Sequence, residues 1–440
     1  MRVGTVSWRA VRAAALATAL SACSGTTAPA EVTYYRDVKS IVDAKCVTCH
    51  QEGGIAPFAL TAPEDVVFYA RAIQAATAAK TMPPWPPGAG CTDYARDRSL
   101  TADQIKTIGS WAAAGGKLGV PVAATPLPPQ VAGLSRIDYK LTIPEAYTPQ
   151  KHPDDYRCFL VDWPATTTKY VTGIGVAPGQ PSIVHHVLVF AATPATLPSY
   201  QALDDADAGP GWACFAGPGG SALPSLVGGW APGASGADFP PDTGIRIEAG
   251  SKLIVQVHYH PGSAPPPADQ STVNLKVDDE VAKEALALPW TNPWWPRLHT
   301  MSINAGDRDA THSFAFDALT GFSFATSGKI DATRPVTIHS AALHMHLHGT
   351  QATLNLQKAA GTTECLLTIP RWDFHWQGSY AFANPKQVAP GDKLGIECHW
   401  DNSISTQPVD ASGQPLSPRA LNWGEGTTDE MCLGFVYVTQ

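Results

Sequence analysis

Apolar residues recur at helical spacing in the first quarter of the chain. The first stripe consists of Tyr34, Val38, Ile41 and Val42. A second helix is predicted after Thr101, because Gln104 completes a capping box there. Its apolar positions are Ile105, Ile108 and Trp111, and the pair Gly115-Gly116 ends it. Residues 31–118 are therefore predicted to form a small all-α domain.

The pattern changes to that of strands beyond residue 118. Residues 119–133 are rich in proline and alanine, which predicts a semi-rigid linker. Further on, the runs from Lys252 to Tyr259 and from Pro335 to His348 alternate in polarity or are β-branched. The 38 glycines and 39 prolines of the chain fit all-β sandwiches with many turns. We therefore expect a multidomain fold in which all-β structure follows the helical domain.

Length and charge narrow the possible functions. A chain of 440 residues predicts two to four domains, at roughly 100–200 residues each. The formal net charge is -8 and only 15% of the residues are charged. Because no basic stripe is present to meet phosphates, we do not expect a nucleic-acid partner.

The first 23 residues have the features of an export signal. Arginines precede an apolar run from Ala13 to Leu20, which is too short to anchor stably across a bilayer. The run ends in Leu20-Ser21-Ala22-Cys23, which resembles a bacterial lipobox with Cys23 as the lipidated residue; an ordinary signal peptide is the alternative. Because Ser24 does not match an inner-membrane retention signal, we expect a periplasmic lipoprotein anchored to the outer membrane.

The segment Cys46-Val47-Thr48-Cys49-His50 matches the C-x-x-C-H pattern of haem c attachment. Cys46 and Cys49 would bind the haem covalently, and His50 would be an axial ligand. A redox pair or half a zinc site is the alternative, but neither a second cysteine pair at zinc spacing nor a thioredoxin-like pattern accompanies the motif. Met82, in a proline-rich loop, is the predicted sixth ligand, and a packed loop methionine is its alternative. Thioether ligation suits electron transfer, so residues 31–118 are interpreted as a cytochrome c domain with one haem c.

The other cysteines predict disulfides. Nine cysteines are present, and export places them in an oxidising compartment. After lipidation and haem attachment, six remain: Cys91, Cys158, Cys214, Cys365, Cys398 and Cys432. They allow up to three disulfides, whose pairing the sequence alone leaves open.

Histidines form three clusters in the second half of the chain. The clusters are His185-His186, His258-Tyr259-His260 and His344-Met345-His346-Leu347-His348. Residues at positions i and i+2 of a strand lie on one face, so the second and third clusters each present paired imidazoles, a natural half of a metal site. Adjacent His185 and His186 can share a metal only where the strand twists or bulges. Hydrogen-bonded structural histidines are the alternative for each cluster.

The choice of metal depends on the methionines. Imidazole suits zinc or copper, whereas a thioether ligand favours copper. The candidates are Met301, Met345 and Met431. Met345 would point away from its flanking histidines, which makes it a poor ligand for their metal.

Five stretches resemble the copper type II, ascorbate-dependent monooxygenases, the family of peptidylglycine α-hydroxylating and dopamine β-monooxygenases. They occur in family order over residues 155–438. The stretches are Val184-His185-His186-Val187-Leu188, Gly229-Trp230-Ala231-Pro232-Gly233, Leu253 to His260, Leu343 to Gly349 and Asp429-Glu430-Met431-Cys432. The resemblance implies two jelly-roll-like β-sandwich copper domains, at residues 134–285 and 286–440.

The resemblance also implies two copper ions with different roles. His185, His186 and His258 would hold an electron-transfer copper, near which Gln256 matches a family residue. The catalytic copper that binds O2 would be held by His344, His346 and Met431. His260 and His348, the members of their clusters that are not assigned to copper, would be structural or would support the ligands. Cys398 and Cys432 match a family disulfide, whereas Cys158 matches a family cysteine whose usual partner region, around residues 262–285, has none here.

The implied activity is hydroxylation of a C–H bond with O2. The relatives take electrons from ascorbate; here a fused haem, itself reduced by a periplasmic donor, is the expected source. The residues that clamp a peptide carboxylate in the relatives are replaced by Ala342, Leu433 and Phe435. A small apolar or aromatic substrate is therefore expected. Alternatives are an electron-transfer or copper-handling protein without oxygenase activity, a copper-dependent oxidase, and a binding protein with zinc.

Overall fold

The computed structural model describes most of the chain. It covers residue 1 and residues 31–52, 56–122, 133–214, 217–220, 225–231, 234, 236–261, 265–374, 376–409 and 413–440. The predicted signal segment with Cys23, and residues 123–132 of the predicted linker, lie outside the described residues. Over the ranges just given, no helix has the length and apolar character needed to cross a membrane.

Helices are short and concentrate before residue 118. They are a π-helix at Tyr34–Val38, which continues into α1 (Lys39–Lys45), then α2 (Pro63–Phe68), α3 (Ala70–Ala78), α4 (Ala102–Ala113), α5 (Leu197–Ala206), α6 (Trp294–Leu298), α7 (Ala318–Ala325) and a 3-10 turn at Ile404–Thr406. The capping box predicted for α4 is confirmed, because Thr101 and Gln104 exchange hydrogen bonds between side chain and backbone. The π-helix, α1, α3 and α4 bury a small apolar cluster that includes Val42, Ile108 and Trp111.

Strands make up most of the remaining chain. They are β1 (Tyr139–Thr142), β2 (Asp155–Asp162), β3 (Lys169–Ala177), β4 (Val184–Ala192), β5 (Trp212–Ala213), β6 (Ser225–Trp230), β7 (Ala237–Asp238), β8 (Thr243–Ile247), β9 (Lys252–Tyr259), β10 (Thr272–Asp278), β11 (Lys283–Trp290), β12 (Ala310–Asp317), β13 (Val336–His344), β14 (Gly349–Gln357), β15 (Thr363–Ile369), β16 (Ser379–Val388), β17 (Lys393–Trp400) and β18 (Leu433–Thr439).

One large sheet runs through both halves of the strand-rich region. Its main path is β1-β10-β3-β8-β11-β6-β4-β9-β2-β5, and β11 continues through β18 to β13 and β16. A four-stranded sheet, β12-β17-β14-β15, packs in the C-terminal half. Successive side chains of a strand point to opposite faces, so β18 serves two cores. Val436 and Val438 pack in the C-terminal core, and Tyr437 packs in the other.

The expected fold class, with a separate all-α cytochrome domain, is wrong. The chain is mostly β-sheet. Between α3 and α4, residues 88–95 lie against strands of the C-terminal half. Gly88 N–H donates to Thr368 O at 2.8 Å, and Ala95 N–H donates to Ala381 O at 2.8 Å. A disulfide joins Cys91 to Cys365. Helical periodicity identified the helices, but it carries no information on these contacts, which join residues more than 270 positions apart.

Candidate metal sites

The first histidine set lies where β4 and β9 pair. His186 is the cross-strand partner of His258, and the register shifts between Val184 and His186. This irregularity is the bulge that His185 and His186 need in order to turn toward one point, because an extra residue re-aims the side chains beside it. One ring nitrogen from each of His185, His186 and His258 lies within 4.8 Å of the others.

Nitrogen spacing in this set fits a metal. His186 Nδ1 lies 3.3 Å from His185 Nδ1 and 3.3 Å from His258 Nδ1. Metal–imidazole bonds of about 2.0–2.1 Å in tetrahedral geometry place two ligand nitrogens about 3.3 Å apart. The three Nδ1 atoms are therefore a candidate ligand set for copper or zinc.

Asp154 contacts the first set from the side away from the Nδ1 atoms. The Nε2–H group of His258 donates to Asp154 Oδ1 at 2.9 Å, and His260 Nδ1 donates to the same oxygen at 2.9 Å. Burial alone would raise the pKa of Asp154, but hydrogen bonds from His258, His260 and Thr427 outweigh it and hold the pKa well below its usual range. The carboxylate is thus ionised, as an acceptor for two imidazoles must be.

The second set follows the end of β13. The strand ends at His344, earlier than the predicted run to His348, and His346 and His348 lie in the connection to β14. His344 Nδ1–H donates to Gln377 Oε1 at 2.6 Å, and His346 Nδ1–H donates to the backbone oxygen of Asp429 at 3.1 Å. Metal-binding imidazoles commonly donate their second ring N–H in this way. Nε2 is then the available ligand atom of both rings, whose centroids lie 5.0 Å apart.

Met431 is held beside this set by its two neighbours in sequence. Cys432 forms the expected disulfide with Cys398, which is confirmed. Glu430 accepts hydrogen bonds from the backbone N–H groups of His346 (3.0 Å) and His348 (2.7 Å). Met431 itself is buried. The fixed backbone on both sides makes this thioether a candidate third ligand.

Burial keeps the candidate ligands neutral. It lowers the pKa of His344 to about 4, against the opposing effect of the Gln377 hydrogen bond. It also lowers the pKa of His186 and of His346, and their neighbouring imidazoles add to the effect. Because only neutral imidazole binds a metal, these three rings are ready to bind one near pH 7.

The two histidine sets face each other. The ring centroids of His186 and His344 are 6.2 Å apart, edge to face. Phe374 stacks on His185 at 4.5 Å, and its ring lies 6.0 Å from that of His346. The ligands of the two candidate sites are therefore in direct proximity.

Apolar side chains lie on the same strand face as His344. In the antiparallel pair β13–β18, Ala342 is opposite Phe435 and His344 is opposite Leu433. Positions two apart and directly opposite share a face. Ala342, Leu433 and Phe435 thus form a half-buried apolar surface next to the second set.

The C-x-x-C-H segment follows α1. Cys46 and Cys49 are not in a disulfide. His50 Nδ1–H donates to Phe58 O at 3.1 Å, which leaves Nε2 as the ligand atom of that ring. Met82, the predicted sixth ligand, is 43% exposed.

This segment is fastened against the C-terminal half near His344. Lys45 donates to the backbone oxygen of Asp97 at 2.8 Å. The guanidinium of the next residue, Arg98, lies 5.8 Å from the ring of Trp376. It also opposes the rise in the Cys49 pKa that burial causes. Trp376 directly precedes Gln377, the hydrogen-bond partner of His344.

Sequence reasoning missed the residues that orient the ligands. Asp154, Gln377 and Glu430 lie 104, 33 and 84 residues from the histidines they contact. No local pattern marks them. The pairings Cys91–Cys365 and Cys158–Cys214 were also left open, because pairing cannot be read from cysteine positions alone.

Comparison with known families matches both strand-rich halves. Residues 139–264 match the family model "copper type II ascorbate-dependent monooxygenase, N-terminal domain", and residues 321–439 match the C-terminal domain of that family. The two matches occur in family order and together cover more than half of the chain.

Two curated relatives agree with these matches. The chain is 22% identical over 214 residues to "DBH-like monooxygenase protein 1" of Gallus gallus, covering 47% of this chain and 32% of the relative. It is 26% identical over 262 residues to "DBH-like monooxygenase protein 2" of Mus musculus, covering 58% and 38%. The chain thus spans roughly a third of the length of these relatives.

Solved structures add nothing to this comparison. The major capsid protein P2 from bacteriophage PM2 is 7% identical, with 68% of this chain and 96% of that chain covered, at a TM-score of 0.26. A likeness of this size does not indicate a shared fold.

Proposed function

The chain belongs to the copper type II ascorbate-dependent monooxygenase family, and we propose on this basis that it hydroxylates a C–H bond of a small apolar substrate with O2. The observation that carries the proposal is the pair of histidine sets that face each other across 6.2 Å. His185, His186 and His258 would hold one copper, and His344, His346 and Met431 the other. Bound copper would supply the site of O2 reduction; hydroxylation places one oxygen atom of O2 in the C–H bond and releases the other as water, which consumes two electrons and two protons.

The protein's own groups would orient the ligands and exclude water. Gln377 and the Asp429 carbonyl fix the rings of His344 and His346 with Nε2 available. Phe374 packs against His185 and covers it. Met431 would add a soft ligand, a donor type that favours copper over zinc.

The surface beside His344 supports an apolar substrate. Ala342, Leu433 and Phe435 offer neither charge nor hydrogen-bond donors from their side chains, so a carboxylate would gain no partner there. A hydrocarbon or aromatic group would instead replace water on this surface, which is favourable in proportion to the apolar area covered. We therefore propose a neutral apolar or aromatic compound, and not a peptide carboxylate, as substrate.

A haem c held by Cys46, Cys49 and His50 is the proposed electron source. The two thiols are outside any disulfide, and His50 is oriented through its Nδ1–H group as a ligand would be. Met82 is the proposed sixth ligand. The Cys91–Cys365 disulfide fastens the following segment to the C-terminal half, and a tethered donor acts at high effective concentration. A periplasmic donor would reduce this haem again.

The proposed location is the periplasm, with Cys23 as a lipid anchor to the outer membrane. The three disulfides are compatible with an exported protein, since such bonds persist in oxidising compartments. Metabolic labelling with a palmitate analogue tests the anchor. Label in the full chain that is lost in Cys23→Ser is expected, and equal labelling of both would contradict it.

One experiment tests the proposed activity. Purified full-length protein is analysed for copper and haem and then reduced. Its haem oxidation by O2 is followed in stopped flow, with and without copper, and product formation from apolar compounds is followed with labelled O2. We expect two coppers per haem, copper-dependent haem oxidation, and label in the product.

The controls separate the parts of the proposal. His344→Ala should abolish product, whereas His399→Ala should not, because His399 bonds Asp309 and Glu397 away from both sets. Copper-dependent oxidation of haem without labelled product would indicate an oxidase or electron-transfer protein. Haem oxidation that is indifferent to copper would refute the electron supply, and zinc in both sites would refute the activity.

A further inference from the structure

Asp154 is a largely buried carboxylate at the boundary of the two histidine sets. Its side chain is 9% exposed. Oδ1 accepts hydrogen bonds from His258 and His260, both at 2.9 Å. Oδ2 accepts from the backbone N–H of Thr427 at 3.2 Å. One carboxylate thus contacts a ligand of the first set and a segment from the opposite end of the chain.

The bond to His258 selects the ring nitrogen that faces the metal site. An ionised carboxylate only accepts, so His258 carries its proton on Nε2. Nδ1 then has its lone pair available, and this is the atom that lies 3.3 Å from His186 Nδ1. Loss of Asp154 would leave the tautomer undetermined and would remove a hydrogen bond that helps to set the angle of the ring.

Tyr156 holds the same imidazole and reaches the same segment. Its ring stacks on that of His258, with 4.1 Å between centroids and an interplanar angle of 8°. Its hydroxyl donates to the backbone oxygen of Glu425 at 3.1 Å. We call residues 425–430 the linking segment.

The other end of the linking segment contacts the second set. The backbone oxygen of Asp429 accepts from His346 Nδ1, and Glu430 accepts from the backbone of His346. Met431 follows directly. Hydrogen bonds and the backbone of residues 427–429 therefore join His258 to His346.

We propose that Asp154 is a positioning residue that presents His258 Nδ1 to the first copper and ties that site, through Thr427, to the segment that orients the second. The inference rests on the proposed function, because it assumes that both sets bind copper. It assigns Asp154 no contact with substrate or metal.

Three variants separate the two roles of Asp154. Asp154→Ala removes both. Asp154→Asn keeps an oxygen that can accept from His258 and His260, but its amide would face the N–H of Thr427, a donor against a donor. Tyr156→Phe keeps the aromatic ring that stacks on His258 and removes the hydroxyl that bonds Glu425. Asp207→Asn is the matched control, since Asp207 bonds Arg157 and contacts no histidine.

The readouts are copper affinity at each site, the paramagnetic resonance spectrum of Cu(II), and the copper–sulfur distance from Met431 by X-ray absorption of Cu(I). For Asp154→Ala we expect affinity of the first site to fall about 10–100-fold, as for other residues that orient a ligand, with a changed spectrum. Asp154→Asn should retain the first site within a few-fold and weaken the second, and Tyr156→Phe should do so to a smaller extent.

The contrary outcomes are distinct. First-site affinity and spectrum unchanged in Asp154→Ala would overturn the positioning role. A second site unchanged in both Asp154→Asn and Tyr156→Phe would overturn the link through the segment. If Asp154→Ala does not fold, Asp154→Asn and Tyr156→Phe still test the link through the segment. Loss of the first-site spectrum in Asp154→Asn would then contradict the positioning role, because that variant keeps an acceptor oxygen for His258. Wild-type protein without copper would overturn the proposed function and this inference together.

Discussion

Glu430 shows how one buried side chain can organise a ligand-bearing turn. It accepts hydrogen bonds from the backbone N–H groups of His346 and His348 and from the indole N–H of Trp400 at 2.8 Å. Burial raises its pKa to about 7, and those three donors limit the rise. The turn after β13 therefore depends on a residue that lies more than 80 positions later.

We predict that Glu430→Gln lowers the free energy of unfolding by about 1–3 kcal/mol, because the new amide group leaves at least one buried donor without a partner. Copper affinity of the second site should fall with it. Chemical denaturation of metal-free protein and copper titration measure the two effects. Asp392→Asn is the control, since the Asp392 carboxylate is also buried but bonds Lys358 and the backbone N–H groups of Ala359 and Ala389. Equal losses of copper affinity in both variants would refute the special role of Glu430.

At the residue scale, the sequence predicted the ligand motifs but not the residues that orient the ligands. Spacing marked the histidine clusters as candidate half-sites, and the family resemblance implied that His185, His186 and His258 share one copper. It could not reveal Asp154, whose contact with His258 spans 104 residues. Ligand motifs are local, whereas the groups that orient ligands are set by tertiary packing.

At the scale of elements, the Cys398–Cys432 disulfide constrains the backbone between Met431 and β18. Cys398 lies on β17, and Cys432 immediately precedes β18, so their bond joins the two sheets beside the second set. The sequence resemblance implied this pair. The bulge in β4, by contrast, was not predicted. The sequence indicated only that His185 and His186 could share a metal if the strand twisted or bulged there, and the register of β4 and β9 shows the bulge.

Replacing Cys398 and Cys432 together with serine should lower the free energy of unfolding by about 3–4 kcal/mol, the entropy expected for a 34-residue loop. It should also weaken the copper–sulfur signal of the second site. The pair Cys158 and Cys214 is the matched control, because it closes a 56-residue loop away from Met431. Its loss should cost about 4 kcal/mol and leave that signal unchanged. A weakened signal in both would mean that general destabilisation is the cause.

An ion pair on β2 gives a pH prediction. Arg157 bonds both oxygens of Asp207, at 2.7 and 3.0 Å, and lowers the Asp207 pKa to about 2. A depressed carboxyl pKa stabilises the fold above the unfolded value, and this contribution disappears as the pH falls from about 4 to 2. Asp207→Asn should lower the free energy of unfolding by about 1 kcal/mol at pH 7, after allowance for solvent screening. Its difference from wild type should vanish at pH 2 in denaturant titrations; a constant difference would refute the linkage.

At the scale of the whole molecule, the helical segment and the sheets form one connected structure. Tyr94 packs with Tyr380 and Phe382, and its hydroxyl donates to the backbone oxygen of Leu366. Local periodicity predicted the helices but not this docking, since the contacts join residues about 270 positions apart. The sequence therefore indicated which elements form, and only the structure shows where the C-x-x-C-H segment lies.

That position leads to a last prediction about electron supply. If the segment stays docked, electron transfer occurs within one molecule. The observed rate constant of haem oxidation in the copper-loaded protein should then not change over a tenfold range of protein concentration. Replacing Cys91 and Cys365 with serine removes the covalent fastening, so the segment can detach and its effective concentration near His344 falls. We expect a smaller rate constant in this variant, with both coppers still bound. A wild-type rate constant that rises with protein concentration would show that electrons pass between molecules. The docked segment would then have a structural role.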